Sequence, residues 1–179
     1  MRLFVSVKIP DELRQKAATL ASELPADAVT LVRPENMHLT LRFIGEVDDN
    51  TRFDITQKLR AIRFKPFRCE LRGVGVFPDE NYVRVIWAGM ESDGALETLA
   101  NGIIGALVGF GKDEEKRFTA HLTIARVRRK IDAKPFLAMH KGDDFGGFEI
   151  KDFELMESIL KEGGPPQYKR VAIFTAQED

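Results

Sequence analysis

The stretches His38-Leu39-Thr40-Leu41-Arg42-Phe43-Ile44 and His121-Leu122-Thr123-Ile124-Ala125-Arg126-Val127 open on one pattern, His-x-Thr-x, repeated 83 residues apart. Polar and apolar residues alternate at the start of both stretches, which is the period of a half-buried β-strand. In an extended strand residues i and i+2 share a face. His38 and Thr40 therefore project together, with Leu39, Leu41 and Phe43 turned into a core. His121 and Thr123 repeat the arrangement, backed by Leu122 and Ile124.

Working outward, residues 2–9 put Leu3, Val5, Val7 and Ile9 on one face of a strand. Pro10-Asp11 opens a helix to about Leu24, with Leu13, Ala17, Leu20 and Leu24 on a common stripe, and Pro25 stops it. A short strand at Val29–Val32 leads through Arg33-Pro34-Glu35-Asn36 into the first motif strand, which Gly45 ends. Asp48-Asp49-Asn50-Thr51 caps a helix over about 51–62. Strands at about 66–76 and 82–90 flank the turn Pro78-Asp79-Glu80-Asn81. Ser92-Asp93 then caps a helix to about Phe110. The second motif strand spans about Phe118–Val127, and a short helix follows around 132–140. A single strand at about 148–159, the turn Gly163-Gly164-Pro165-Pro166 and a last strand at 167–176 complete the chain.

Shifted by 83 residues, the first strand, the first two helices and the strand at 66–76 each fall near an element of the second half. The expectation is one bilobal domain over 1–179, built on an internal repeat of about 83 residues. Its class is α+β: two pseudo-twofold-related lobes of antiparallel sheet, helices on the outer faces, and a central cleft.

Facing lobes would bring two imidazoles and two hydroxyls to that cleft. Breaking a phosphodiester needs a proton taken from the nucleophile and one given to the leaving oxygen. Histidine titrates near neutral pH, so one ring can serve as base and the other as acid. The threonine hydroxyls can donate to non-bridging phosphate oxygens, and an arginine would grip the phosphate bidentately. Two arginines compete for that task. Arg42, four residues after His38, is in phase with His38 and Thr40. Arg126, five after His121, faces away unless the strand bulges or ends there. On strand phase alone, Arg42 is favoured.

Composition narrows the classes further. The 179 residues are 44% hydrophobic and 31% charged, with a formal net charge of −1. Such a chain does not coat nucleic acid by bulk charge, although a local basic cleft is compatible with it. No apolar run reaches the roughly 18 residues of a membrane helix. The lone Cys69 forms no intramolecular disulfide and reads as a small buried hydrophobe. A cytoplasmic monomer is expected. No third ligand at metal spacing accompanies the two histidines, and no Walker or GxGxxG loop is present, so no metal and no cofactor is implied. His140 reads as a solvated residue at a helix end. Arg126, Arg128, Arg129 and Lys130 form a basic cluster, either a solvated strand end or a contact to RNA phosphates. Tyr82, Trp87 and Phe77 are aromatic candidates for base stacking, but Trp87 shares its face with Val83 and Val85, which favours the core. Tyr168 is a candidate for the cleft wall.

The stretches RLFVSVKIP at 2–10, RPENMHLTLRFIGEV at 33–47, the hairpin from Phe77-Pro78 to VRVIW at 83–87, FTAHLTIARV at 118–127 and GGPPQY at 163–168 together resemble the 2H phosphoesterase superfamily. Within it they are similar to the RNA 2′,3′-cyclic phosphodiesterases, also known as 2′-5′ RNA ligases, along essentially the whole chain. The resemblance implies opening of 2′,3′-cyclic phosphate ends of RNA to 2′-phosphates. His121 would be the proton acceptor that activates water and His38 the proton donor to the leaving 3′-oxygen. It assigns phosphate contact to Arg126, against the phase of an unbroken strand. A reversible 2′-5′ ligase reaction would use the same chemistry with a 5′-hydroxyl as nucleophile. The alternatives are a phosphodiesterase for 2′-5′ oligonucleotides or small cyclic nucleotides, and an RNA-end-binding module without turnover.

Overall fold

The computed structural model describes residues 1–111 and 117–177. The strands and helices are β1 (Arg2–Lys8), α1 (Asp11–Ala21), β2 (Val29–Leu31), β3 (His38–Glu46), α2 (Asp49–Arg60), β4 (Phe67–Asp79), β5 (Tyr82–Glu91), α3 (Ala95–Ala106), β6 (His121–Val127), α4 (Lys134–His140), β7 (Asp144–Ile150), β8 (Asp152–Ile159) and β9 (Gln167–Thr175). A 3₁₀ turn, Pro34–Asn36, precedes β3. The helix starts follow the sequence signals: Asp48 accepts from the Thr51 amide at 2.8 Å, and Ser92 Oγ from the Leu96 amide at 2.9 Å. Caps of this kind typically contribute ~1 kcal/mol.

Two antiparallel sheets result, one ordered β3-β1-β8-β9 and the other β2-β6-β5-β4-β7. Their plans correspond. Each places its motif strand beside the opening strand of its own half (β3 on β1, β6 on β5), and then a strand from the other half (β8 or β4). Neither half of the chain can complete its sheet alone, because β4 joins the second lobe and β8 the first. The helices cross over too: α1 packs on β6 and β7, while α3 packs on β3. Leu39, Leu41, Leu122 and Ile124 from the motif strands join Leu13, Leu20, Leu96 and Ile103 of these helices in one buried core.

Three local expectations change. The single strand at 148–159 is two, β7 and β8, because the chain leaves one sheet at Ile150 and enters the other at Asp152. Gly45 does not end β3. With φ of 95° it carries the strand through an irregularity to Glu46. His140 is not solvated: it is 7% exposed, with Nδ1 2.6 Å from Asp143 Oδ2 and Nε2 2.7 Å from Glu23 Oε2. It thereby ties the end of α4 to the turn after α1. Among the described residues no helix is long and apolar enough to cross a membrane.

Burial opposes the charge on His140, but its hydrogen bonds to Asp143 and Glu23 outweigh that effect and raise its pKa above the histidine value of 6.5. A raised folded-state pKa adds stability that is complete below the unfolded pKa and disappears as pH rises through the folded one. Urea unfolding should therefore show wild type losing stability as pH rises above about 6.5. His140→Ala should be weaker by about 1–2 kcal/mol at pH 6 and should lack that slope. An equal slope in the variant would refute the clamp.

Candidate active site

The two motif strands lie against each other across the cleft between the sheets. His38 and Thr40 on β3 share one cavity of about 890 Å³ with Thr123 and Arg126 on β6. His121 lies two residues before Thr123 on the same strand and, like it, is half-buried while Leu122 between them is buried. The second motif's histidine thus stands beside this cavity, on the strand that supplies its wall.

A β-bulge decides which arginine joins them. Across β5, Trp87 pairs with Thr123 and Ile86 with Ala125, so Ile124 has no partner and β6 gains one residue. Ile124 and Ala125 both turn into the core, and Arg126 comes back to the side of His121 and Thr123. β3 does the same: Ser6 pairs with Thr40 and Val5 with Arg42, leaving Leu41 unpaired. Leu41 and Arg42 both turn inward. Arg42 is 2% exposed and donates from its guanidinium to the Phe110 carbonyl at 3.3 Å. Phe43, expected in the core, is 36% exposed and lines the cavity instead. Phe43 and Arg126 each follow their motif histidine by five residues, so the bulges place an aromatic ring in one lobe where the other has a cation.

Each imidazole is fixed from behind. His121 Nδ1 lies 2.7 Å from the Thr119 carbonyl, and because a carbonyl only accepts, that nitrogen carries the proton. Its Nε2 is then the atom left for proton transfer. His38 likewise hydrogen-bonds to the backbone two residues upstream, at Asn36. Aromatic rings flank both. Phe4 stacks on His38 with centroids 4.8 Å apart, and Tyr168 meets it edge-on at 4.8 Å. Phe77 meets His121 edge-on at 4.9 Å, and Trp87 lies 6.1 Å away.

These walls keep the imidazoles neutral. Burial lowers the pKa of His38 from 6.5 to about 4, against the opposing effect of the Asn36 hydrogen bond. His121 is lowered for the same reason, helped by the positive charge of Arg126 and opposed by the Thr119 bond. Tyr168 is raised by burial, while Arg126 and Arg2 pull it the other way. The field of Arg126 thus reaches both the β6 histidine and a tyrosine on the opposite sheet.

The remaining candidates sort by contact. Arg128 donates to the Ala26 and Val29 carbonyls, and Arg129 pairs with Asp27, so both fasten the loop before β2. Of that basic cluster Arg126 lines the cavity. Tyr168 lines it as well. Trp87 is half-buried on the cleft side of β5, since Ile86, Ala88 and Met90 take the core side. Its indole lies against Gly75, where an added Cβ would collide with the ring. Cys69 is fully buried, which pushes its thiol up to about 12. Arg2 was missed from sequence. It lines the cavity with its guanidinium 5.1 Å from the centre of the Phe43 ring. Its alternation with Leu3 on β1 was the available signal. Among the described residues no three His, Cys, Asp or Glu side chains are grouped as metal ligands.

The chain is similar to known proteins in both sequence and fold. Residues 3–87 match the family model described as LigT-like phosphoesterase. The chain is 39% identical over 176 residues to the RNA 2′,3′-cyclic phosphodiesterase of Archaeoglobus fulgidus, covering 97% of this chain and 99% of that one. To the Methanocaldococcus jannaschii protein of the same name it is 34% identical, covering 92% and 95%. A crystal structure from Thermus thermophilus superposes with a TM-score of 0.82 at 29% identity, covering 98% of this chain and 97% of that one. Escherichia coli LigT, solved with 3′-AMP, shares the fold with a TM-score of 0.82 at 24% identity, covering 99% of this chain and 98% of that one. The chain belongs to the LigT-like phosphoesterase family.

Proposed function

We propose that this protein is an RNA 2′,3′-cyclic phosphodiesterase that opens cyclic phosphate ends to 2′-phosphates without a metal or cofactor. The observation that carries the reading is the placement of His38, Thr40, Thr123 and Arg126 around one cavity, with His121 at its edge. The curated relatives of that name, similar along nearly the whole chain, support it. A monomer working in the cytoplasm, with the two halves derived from one ancestral lobe, is part of the same proposal.

In this mechanism the phosphate sits between the two threonine hydroxyls, with Arg126 neutralising its charge. His121 Nε2 takes the proton of the attacking water, and His38 gives a proton to the leaving 3′-oxygen. The aromatic walls exclude water and strengthen each of these contacts. Because burial leaves both rings neutral in the empty cleft, the acid must acquire its proton as the substrate enters. A bound phosphate anion provides the counter-charge that raises an imidazole pKa. Reversal with a 5′-hydroxyl in place of water would make a 2′-5′ linkage. Water at about 55 M favours hydrolysis unless the hydroxyl is held in place.

With an oligoribonucleotide ending in a 2′,3′-cyclic phosphate, and EDTA present, the product should carry a terminal 2′-phosphate. His38→Ala and His121→Ala should each lose about 10²-fold or more, and Arg126→Ala about 10²-fold. Arg42→Ala should instead lower the unfolding free energy by ~2 kcal/mol and spare turnover of the folded fraction. No turnover by wild type would sink the proposal, and histidine variants within a few-fold of wild type would refute the acid–base pair.

The second expectation is spectroscopic. In NMR titrations of the free protein, His38 should stay neutral until the pH approaches about 4. Saturating inorganic phosphate should move that titration upward. A His38 that titrates near 6.5 in the free protein would overturn the burial account.

A further inference from the structure

We propose that the hollow beyond Trp87 is a second nucleotide subsite, which holds the RNA end whose 5′-hydroxyl attacks the cyclic phosphate in the ligation direction. This rests on the reading above, with His121 as the base and His38 as the acid. The leaving oxygen belongs to the nucleoside that carries the phosphate, so that nucleoside lies on the His38 side, in the cavity lined by Phe43 and Tyr168. In an in-line displacement the attacking oxygen arrives from the opposite side. Whatever carries that oxygen must leave the site past His121, away from the first cavity.

Past His121 the floor is Trp87, its centroid 6.1 Å from the imidazole. Trp87 also lines a separate hollow of about 660 Å³ between α4 and the β4–β5 hairpin, within the range that accommodates a nucleotide-sized ligand. The lobes differ at this point. Phe4 occupies in β1 the place that Trp87 has in β5, 83 residues on, but Phe4 is 3% exposed and covered by Tyr168. Trp87 is left half-open, toward the hollow.

The lining has the chemistry of a single-stranded nucleotide site. An indole face stacks on any base, and cations along the wall track the backbone. Lys134 and Lys141 supply those cations from α4 and the turn after it. Both are exposed, and among the described residues neither ammonium has an ion-pair partner. Trp87 Nε1 is buried with no hydrogen-bond partner among the described residues, an uncommon state for an indole. On the opposite wall, Asp79 already accepts the Asn81 and Tyr82 amides, and Glu80 is exposed. These carboxylates repel phosphate toward the lysine wall and leave acceptors for ribose hydroxyls. The reaction balances without a co-reactant. The 5′-oxygen forms the new bond to phosphorus, its proton passes to His121, and the bond from phosphorus to the 3′-oxygen breaks as His38 protonates that oxygen.

The test supplies the full-length protein with a cyclic-phosphate donor and a short 5′-hydroxyl oligoribonucleotide bearing 4-thiouridine at its first position. Ligated product should rise and saturate with acceptor concentration, and irradiation should crosslink the acceptor to Trp87 or α4. In Lys134→Glu/Lys141→Glu, whose two sites lie outside the first cavity, ligation should fall about 10-fold or more with hydrolysis within twofold. Unchanged ligation in that variant, or a wild-type crosslink mapped elsewhere, would overturn the subsite. Hydrolysis with neither ligation nor crosslinking in wild type would overturn it too, leaving the phosphodiesterase reading intact. Loss of hydrolysis in wild type would instead remove the reading beneath it.

Discussion

At Leu41 in β3 and at Ile124 in β6 one residue has no partner across the ladder, and two consecutive side chains turn to the core. On the two motif strands, what faces the cleft beyond the threonines depends on that extra residue. A regular strand would present Arg42 to the cavity and send Arg126 toward α1 and the core. The bulges reverse both assignments. They also bend the strands, at the place where a flat sheet could not wrap a ligand. Because the hydrophobic residues on either side fill the core in the bulged register, slipping back to a regular strand would bury Arg126 and turn Ala125 outward. Core packing thus locks the geometry of the site.

The same pair of bulges lets a near-symmetric scaffold become a directional one. A strictly twofold cleft would treat both ends of a phosphodiester alike and could not distinguish nucleophile from leaving group. Here the fifth position after each histidine carries Phe43 in one lobe and Arg126 in the other, and the aromatic wall is closed at Phe4 and half-open at Trp87. Charge and apolar surface are therefore separated along the cleft. In the proposed reaction the nucleoside would have an apolar side on which to lie, the phosphate a cation, and the attacking group a way in.

The elements carrying the motifs were legible because strong local signals agreed: the period-two alternation of β1 and β3, the Asp48 and Ser92 caps, and Pro25 after α1. The histidine and threonine positions followed from strand phase over two residues, a distance too short for a bulge to intervene. Phase failed beyond that. A bulge is set by how two strands and a core fit together, and nothing within Leu-Arg-Phe or Ile-Ala-Arg announces it. Trp87 was misplaced because β5 also shifts register, between Val83 and Val85 where it meets β4, which puts Val83 and Trp87 on opposite faces. His140 reads as solvated from sequence for a related reason. Glu23 is 117 residues distant in sequence, and no local pattern reveals a partner that tertiary structure supplies. The division of 148–159 into two strands also has a tertiary cause, since only the need to complete both sheets makes the chain change sheets there.

Burial of the two histidines has an electrostatic logic that joins the fold to the chemistry. A catalytic acid that is charged in the empty enzyme would gain solvation or a carboxylate partner, and either would weaken its drive to give the proton away. Here the aromatic walls deny it both. His38 sits between Phe4 and Tyr168, and no carboxylate contributes to its low pKa. The contrast within the molecule is His140, where two carboxylates raise the pKa and the ring serves as a clamp. One residue type thus does opposite work in two surroundings. Carboxylates favour the charged imidazole, which holds structure together, whereas apolar rings favour the neutral one, which takes charge when an anion arrives. In the proposed mechanism the phosphate to be cleaved is that anion, so protonation of the acid and occupancy of the site would become one event.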